Sequence, residues 1–363
     1  MTNKNKKVVV AMSGGVDSSV AAALLVEQGY DVVGISLQLW NYAGSDKGSF
    51  DGCCSPEDLY DARGVARQLR IPYYVYNFEQ TFMEKVVHPF VNSYRTGQTP
   101  NPCVLCNEKV KFDPLLQRAK ELEADYLATG HYAQVERDER GVHHLRKAKD
   151  LQKDQSYFLH RLTQEQLAYC LFPVGGMNKE EVRGIAKRLG LRVAEKPDSQ
   201  EICFVANQNY ASFVEEQSSS SMDPGPILDE EGHLLGTHPG LHRYTIGQRR
   251  GLGISSLEPL YVIRMDTREN RLIVGKKERL YENSFIVRET HWIDGEPQGP
   301  IAARVRIRYK HQEVPATTEP LPSHETRVLC QEPQRAITPG QAAVFYQGDQ
   351  VLGGGWIERV GYE

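Results

Sequence analysis

Apolar and polar positions fall into two kinds of block along the first half of the chain. Val8, Val9 and Val10, β-branched and flanked by polar residues, predict a short buried strand, and residues 18–29 follow with an Ala/Leu stripe at helical spacing. The pattern then predicts a strand over 31–40, a helix over 55–70 opened by a Ser55 cap with Pro56 at its first position, and a strand over 73–78. Helical spacing recurs over 81–96 and 113–124, and a fourth strand is predicted over 125–132. A polar hairpin over 133–148, helices over 163–170 and 178–190, and a fifth strand near the segment Ser199-Gln200-Glu201-Ile202-Cys203-Phe204-Val205 complete this half. Strands alternating with helices predict a parallel sheet covered on both faces, with ligands collecting at the carboxyl ends of the strands. That rule places Leu37 and Gly130-His131 beside the turn that follows the first strand. After the serine run at 218–221 and Pro224-Gly225-Pro226, helical periodicity disappears. Short β-rich runs separated by turn residues then predict two small β domains, the last a barrel. The expected divisions are 1–217, 218–283 and 284–363.

The first turn carries chemistry. Ser13-Gly14-Gly15-Val16-Asp17-Ser18 joins strand to helix; paired glycines let the backbone approach a ligand, and the amides of the helix's first turn suit an anionic phosphate. Ser13, Ser18 and Ser19 add hydroxyls. The stretch lacks the lysine of a Walker loop and the Gly-x-Gly-x-x-Gly spacing of a dinucleotide site. It resembles instead the pyrophosphate loop of the ATP pyrophosphatase superfamily, which cleaves ATP between its α and β phosphates and transfers AMP to an oxygen. A capped strand-to-helix turn without a ligand is the plainer alternative.

Composition changes the picture only by exclusion. The 363 residues leave room for two or three domains. A net charge of -4 gives no global attraction to nucleic acid, so any such binding rests on local patches. Seven cysteines, an odd set, and an N-terminus with no following apolar signal segment lead to the expectation of a reducing, cytoplasmic setting. No stretch reaches the roughly 18 apolar residues of a membrane span.

Two segments concentrate thiols. Thr99-Pro100-Asn101-Pro102-Cys103-Val104-Leu105-Cys106-Asn107 reads as a loop stiffened by two prolines, and Cys203 lies in the segment already given as a fifth strand; both are expected at the sheet's carboxyl edge. A thiolate is the nucleophile of sulfur chemistry, and a persulfide on one cysteine can be cleaved by another through a disulfide. A zinc knuckle, completed by Cys53-Cys54, is the structural alternative. Cys170 and Cys330 sit in apolar contexts and read as core residues. Near the C-terminus, Arg304, Arg306, Arg308 and Lys310 share one face of a predicted strand by the period of two, opposite Val305 and Ile307. With Arg243, Arg249 and Arg250 they form either a phosphate track or a solvated face.

Eight stretches carry a closer resemblance: SGGVDSS, CCSPEDLYDA, NPCVLCN, ATGHY, KDQSYFL, SQEICFV, TIGQRRGLG and TPGQAAVFY, in this order and over nearly the whole chain. Together they are similar to the bacterial tRNA-specific 2-thiouridylase family. The resemblance implies an α/β pyrophosphate-loop domain of the adenine nucleotide α-hydrolase-like kind with a parallel sheet, a small β-rich central domain and a C-terminal β-barrel. It implies ATP-dependent replacement of the 2-carbonyl oxygen of the wobble uridine by sulfur in the tRNAs for lysine, glutamate and glutamine. The implied cofactor is ATP with Mg2+, and the implied partners are tRNA and a sulfur-relay carrier protein or cysteine desulfurase. A ring oxygen is a poor leaving group, so it is first adenylated, and AMP departs as sulfur adds. Carried over by motif, ATP falls to Ala11, Met12, Ser13, Gly14, Gly15, Val16, Asp17 and Ser18, with Leu37 and Gly130 near the adenine. Cys203 would hold the persulfide and Cys106 would attack it. Asn101, Pro102 and Cys103 would line the target base, and His131, Lys153, Asp154, Gln155, Arg308, Tyr309 and Gln341 would touch tRNA, with residues 150–195 as a helical tRNA-contacting segment. Read without the resemblance, His131 is a hydrogen-bonded strand-end histidine, Lys153-Asp154-Gln155 a surface turn and Gln341 an exposed loop residue.

One position departs from the family pattern. Many members carry an aspartate where this chain has Cys103, so a proton-transfer role for that aspartate does not carry over. A 4Fe-4S cluster held by Cys103, Cys106 and Cys203 is therefore an alternative to the persulfide route, since related sulfur-transfer enzymes hold such clusters on three cysteines. Another pyrophosphate-loop ATP-dependent ligase, which leaves the cysteine segments unexplained, and a non-enzymatic tRNA binder, which leaves SGGVDS unexplained, are the remaining alternatives.

Overall fold

The computed structural model describes residues 6–40, 55–198, 202–205, 209–218 and 223–361. Cys53-Cys54, Ser199-Gln200-Glu201 and most of the serine run at 218–221 lie outside the described residues. The chain divides into two compact units: residues 1–86, 103–208 and 349–351 form one, and residues 87–102, 209–348 and 352–363 the other.

The first unit is built on a parallel sheet. Strand β1 (Lys7–Ala11) leads into α1 (Val16–Glu27), β2 (Asp31–Gln38), α2 (Pro56–Leu69) and β3 (Tyr73–Asn77). Ser55 caps α2 as the sequence predicts, its hydroxyl accepting from Asp58 N while Asp58 returns the bond to Ser55 N. The predicted helix over 81–96 is interrupted. It runs as α3 (Glu79–Phe82), a π-helical stretch (Met83–Val87) and α4 (His88–Arg95), the last belonging to the second unit. After α5 (Pro102–Cys106) and a second π stretch (Asn107–Phe112), α6 (Asp113–Glu121) returns the chain to β4 (Tyr126–Thr129). The hairpin β5 (Ala133–Arg137) and β6 (His143–Lys147) follows, then α7 (Gln164–Tyr169), β7 (Cys170–Leu171) and α8 (Lys179–Arg188).

The sheet order is β3-β2-β1-β4-β7. Here the structure corrects the sequence: the fifth strand is Cys170–Leu171, paired with Leu127 and Ala128, and not the Cys203 segment, whose described residues form a turn. Two residues are too few to show a period, so β7 reads as the tail of a helix. The strand order reverses between β1 and β4, which makes the ends of these two strands the switch point where open α/β sheets bind ligands. Val8 and Val10 pack with Val20, Ala21, Ala62, Val65, Val182 and Ala186 into one buried cluster, so α1, α2 and α8 are held on the same core.

The second unit contains α4, α9 (Tyr210–Gln217) and two β structures. A four-stranded sheet joins β8 (Gly225–Leu228), β9 (Leu234–His238), β10 (Tyr261–Asp266) and β11 (Arg271–Gly275) in the order β10-β11-β8-β9, over a core including Ile227, Leu241, Val262, Leu272 and Val274. The strands β12 (Tyr281–Trp292), β13 (Ile301–Arg306), β14 (Val314–Leu321), β15 (Glu325–Arg335), β16 (Ala342–Gln347) and β17 (Gln350–Val360) close into a barrel, because β12 pairs with both β15 and β17. Phe285, Val287, Val305, Val328, Phe345 and Ile357 fill it. The central β domain and the closed barrel therefore stand as expected.

Candidate active site and the family of the chain

The pyrophosphate loop is held from both sides. Met12 N donates to Ile35 O at 2.8 Å, and the Ser36 hydroxyl donates to Met12 O while accepting from Tyr73 OH at 2.8 Å. Gly14 has φ +75, and a Cβ there would lie 2.2 Å from the Asp58 carbonyl oxygen, so conformation and space both demand glycine. Gly15 is the N-cap of α1 and supplies no capping side chain, which leaves the first-turn amides facing the loop. Ser18 and Ser19 are buried: Ser18 Oγ accepts from Ser13 N at 3.1 Å, and Ser19 Oγ donates to Gly15 O at 2.8 Å. Their hydroxyls brace the loop, and Ser13 is its exposed one. Gly130, at the end of β4, closes the switch point, since a Cβ there would stand 2.4 Å from Ser18 N. Leu37 is buried in the carboxyl half of β2 opposite Tyr76.

Charges converge on this loop, and Lys179, Arg183 and Lys196 among them are not singled out by the sequence. Asp17 Oδ1 accepts from Tyr132 OH at 2.8 Å, and both Asp17 oxygens accept from Lys179 Nζ at 2.7 and 2.8 Å. Lys179 Nζ also lies 2.7 Å from Asp198 Oδ1, and Asp198 pairs with Lys153 at 2.7 Å and Arg183 at 3.1 Å. Burial raises the Asp198 pKa, but the Lys153 and Lys179 hydrogen bonds outweigh it and hold the carboxyl below its ordinary value. Burial, and then the Asp17 charge, push the Tyr132 phenol well above its usual range, so it stays a donor. On the other side of the loop, Lys196 Nζ donates to Gly14 O at 3.2 Å and to Asp58 and Asp61, both at 2.7 Å. Burial opposes its charge; the two carboxylates win and raise its pKa. Asp17 is a hard oxygen donor at the helix N-terminus, a donor type that fits the Mg2+ carried with ATP.

Lys153-Asp154-Gln155 is built into this network. Gln155 Oε1 accepts from Tyr132 N at 3.0 Å. Asp154, 2 % exposed, accepts from Ala148 N at 3.1 Å, Ser156 N at 3.2 Å and Ser156 Oγ at 2.9 Å, so it braces the turn from inside. His131 Nδ1 lies 2.8 Å from Thr129 Oγ1, with its ring beside those of Phe112 and Phe172. Burial, with Lys111 second, pushes its pKa down to about 3, which makes it a neutral ring at the strand end.

Cys103 and Cys106 lie on a helix, where the sequence led us to expect a loop. Pro102 is tolerated at the start of α5 because the N–H it lacks would have no partner within the helix at a first-turn position, so the second proline begins the helix. Cys106 is buried and Cys103 half-buried, three residues apart and hence on one side of the helix. Glu108 anchors the following turn to Arg161 at 2.6 Å. Cys203 is half-buried, and Phe204 beside it packs edge-on against Phe82 with centroids 5.4 Å apart.

Two readings of the cysteines find no support among the described residues. Among the described residues, the one group of three or more His, Cys, Asp or Glu side chains with ligand atoms all within 4.8 Å of one another is Asp229, Glu231 and His233. Cys103, Cys106 and Cys203 do not form such a group, so the three-cysteine cluster is not supported. None of the five described cysteines is in a disulfide, so the Cys106–Cys203 pair stands here as thiols.

In the second unit, Gln341 Nε2 donates to Thr99 O at 2.8 Å and Pro100 O at 3.3 Å, just before Asn101, and Thr99 N donates to Pro339 O at 2.9 Å. Gln341 is thus partly buried and engaged with that loop. The basic strand is shorter than expected: β13 ends at Arg306, and Arg308, Tyr309 and Lys310 lie in the turn beyond it. Arg306 pairs with Glu313 at 2.7 Å, and Arg304 donates to Glu313 O at 2.7 Å, so the four cations do not form one free face.

Comparison with known proteins decides the family. Residues 6–207 match the model described as the tRNA methyl transferase HUP domain, 211–276 the tRNA methyl transferase PRC-barrel domain, and 282–357 the aminomethyltransferase beta-barrel domain. The chain is 52% identical over 360 residues to the tRNA-specific 2-thiouridylase MnmA of Geotalea uraniireducens, covering 98% of this chain and 96% of the relative. It is 52% identical over 362 residues to that of Geobacter metallireducens, covering 99% and 98%. The protein of the same name from Magnetococcus marinus is 49% identical over 353 residues, covering 97% and 99%. The chain belongs to the tRNA-specific 2-thiouridylase family. In this 2-thiouridylase, no helix among the described residues is long and apolar enough to cross a membrane.

Proposed function

We propose that the chain catalyses ATP-dependent 2-thiolation of the wobble uridine in the tRNAs for lysine, glutamate and glutamine. Residues 11–18, with Leu37 and Gly130, take ATP at the switch point, where Asp17 would hold the Mg2+ carried with ATP and the ion would neutralise phosphate charge. The uridine O2 attacks the α-phosphorus and pyrophosphate leaves, which turns a poor leaving oxygen into AMP. Cys106 thiolate then attacks Cys203 Sγ of a Cys203 persulfide, the outer sulfur is released to C2, and AMP departs with the oxygen. The cycle leaves a Cys106–Cys203 disulfide, which a thiol reductant returns to two thiols. Asn101, Pro102 and Cys103 line the base, which swings out of the anticodon loop to reach them. A sulfur-relay carrier protein or cysteine desulfurase charges Cys203, and the enzyme works in the cytoplasm with domains 1–217, 218–283 and 284–363.

The observation that carries this reading is that one charge network joins the pyrophosphate loop, through Lys179, to Asp198 on the segment bearing Cys203. Mass spectrometry of tRNA nucleosides after incubation with ATP, a thiol reductant, and a cysteine desulfurase with cysteine as persulfide donor is expected to show 2-thiouridine only when ATP is present. Thiolation without ATP, or AMP release without thiolated tRNA, overturns it. Tyr309 and Arg308 are proposed as tRNA contacts from the turn after β13. Arg308→Ala is expected to make the log–log salt slope of tRNA binding shallower by about 0.7 to 0.9, one phosphate contact. Arg306→Ala, whose guanidinium is paired with Glu313, leaves that slope unchanged.

A further inference from the structure

We propose that Lys179 is a positioning residue that locks the nucleotide loop to the sulfur-bearing segment, so that each adenylation is spent on one sulfur transfer. The inference rests on the reading of Cys203 as sulfur carrier. All three ammonium hydrogens have acceptors: Asp17 Oδ1 at 2.7 Å, Asp17 Oδ2 at 2.8 Å and Asp198 Oδ1 at 2.7 Å. The side chain is only 11% exposed and its ammonium lies 5.6 Å from the Tyr132 ring centroid, so its position is set by packing as well as charge. Its backbone is equally fixed. Lys179 opens α8, whose Asn178 forms a capping box with Glu181, and Lys179 N donates to Asp150 Oδ2 at 3.1 Å.

Neutralising Asp198 does not require Lys179, because Lys153 and Arg183 already pair with that carboxylate. What Lys179 adds is a bridge: among the described residues it is the cation paired with both Asp17 and Asp198. A second path runs from Asp198 through Lys153 to Gln155 two residues on, then to Tyr132 N, and returns to Asp17 through Tyr132 OH. The loop that directs adenylation and Asp198, five residues before Cys203 in the chain, are thereby held in one closed ring. An adenylated uridine that waits for a displaced sulfur carrier is open to water, and hydrolysis releases AMP with no sulfur gained.

The experiment measures AMP released per 2-thiouridine formed, using the full chain with tRNA, ATP, a thiol reductant, and a cysteine desulfurase with cysteine as the persulfide donor that charges Cys203. Wild type is expected near one. Asp198→Asn keeps the shape and the Asp17–Lys179 pair; it is expected to retain pyrophosphate release within about threefold while AMP per 2-thiouridine rises to about three or more. Lys179→Gln is expected to raise the same ratio and also to slow pyrophosphate release by about tenfold, with Lys179→Arg recovering most of both. A ratio of one in both Asp198→Asn and Lys179→Gln, whatever their rates, overturns the proposal, since a merely structural bridge slows both steps together. Cys203→Ala separates this from failure of the underlying reading. If that variant is inactive in thiolation while the ratio in the two others stays at one, the positioning role alone is wrong; if it thiolates normally, the persulfide reading and the proposal fall together.

Discussion

Asp17→Ala is expected to reduce tRNA-dependent pyrophosphate release by about a thousandfold or more, corresponding to roughly 4 kcal/mol of transition-state stabilisation. The carboxylate sits in the first turn of α1 and pairs with Lys179, so its removal changes both the charge at the loop and the place of the lysine. The same substitution strips two bonds from a half-buried cation and one from Tyr132 OH, a cost of about 1 to 3 kcal/mol in folding. Asp17→Asn keeps an acceptor for Tyr132 and isolates the charge; thermal unfolding close to wild type together with lost pyrophosphate release is the expected pair of results. Ser13→Ala, at the exposed hydroxyl of the loop, is expected to lose adenylation with no effect on folding. Unchanged pyrophosphate release in these variants removes the loop from the ATP site.

Cys106→Ala and Cys203→Ala are expected to abolish 2-thiouridine formation, by about a thousandfold or more, while each still releases pyrophosphate in the presence of tRNA. Adenylation draws on the pyrophosphate loop, whereas sulfur delivery needs one thiol to carry and one to resolve. Cys103 shares a helix with Cys106, but the persulfide route gives it no bond to make, so Cys103→Ala is expected to slow thiolation by about tenfold at most. Cys103→Asp, which restores the more familiar family residue, is expected to run near wild type. Thiolation of a tRNA transcript, read by nucleoside mass spectrometry beside pyrophosphate release, checks all four. Loss in Cys103→Ala equal to that in Cys106→Ala defeats the persulfide assignment.

Much of this was legible because it is local. The β-branched run of β1, the paired glycines, the Ser55 cap with Pro56 and the change to short β runs after residue 222 each act through neighbours in the chain, and each element formed where it was expected. The misread stretches show where local signals compete. Pro102 suits a loop or a helix start equally, and the packing of Val104, fully buried, settles on the helix. Cys170–Leu171 has no period of its own and becomes a strand because β4 offers it a free edge. The alternation of Arg304, Arg306 and Arg308 ended early, as the chain turned after Arg306 and Glu313 took two of the cations.

The motif for ATP and each stretch that carries the family resemblance are properties of the sequence alone, since each is made of residues within a few positions of one another. The ring around Asp17 is not. Asp17, Tyr132, Lys179 and Asp198 are far apart in the chain, and a lysine at the start of a helix carries no mark that distinguishes it from a solvated one. Only the sheet order, which sets β1 beside β4 and packs α8 on the same core as α1, brings that lysine onto two carboxylates. Charge partners across such separations are chosen by tertiary geometry, because a side chain's electrostatic neighbours depend on distance in space and leave no period in the chain.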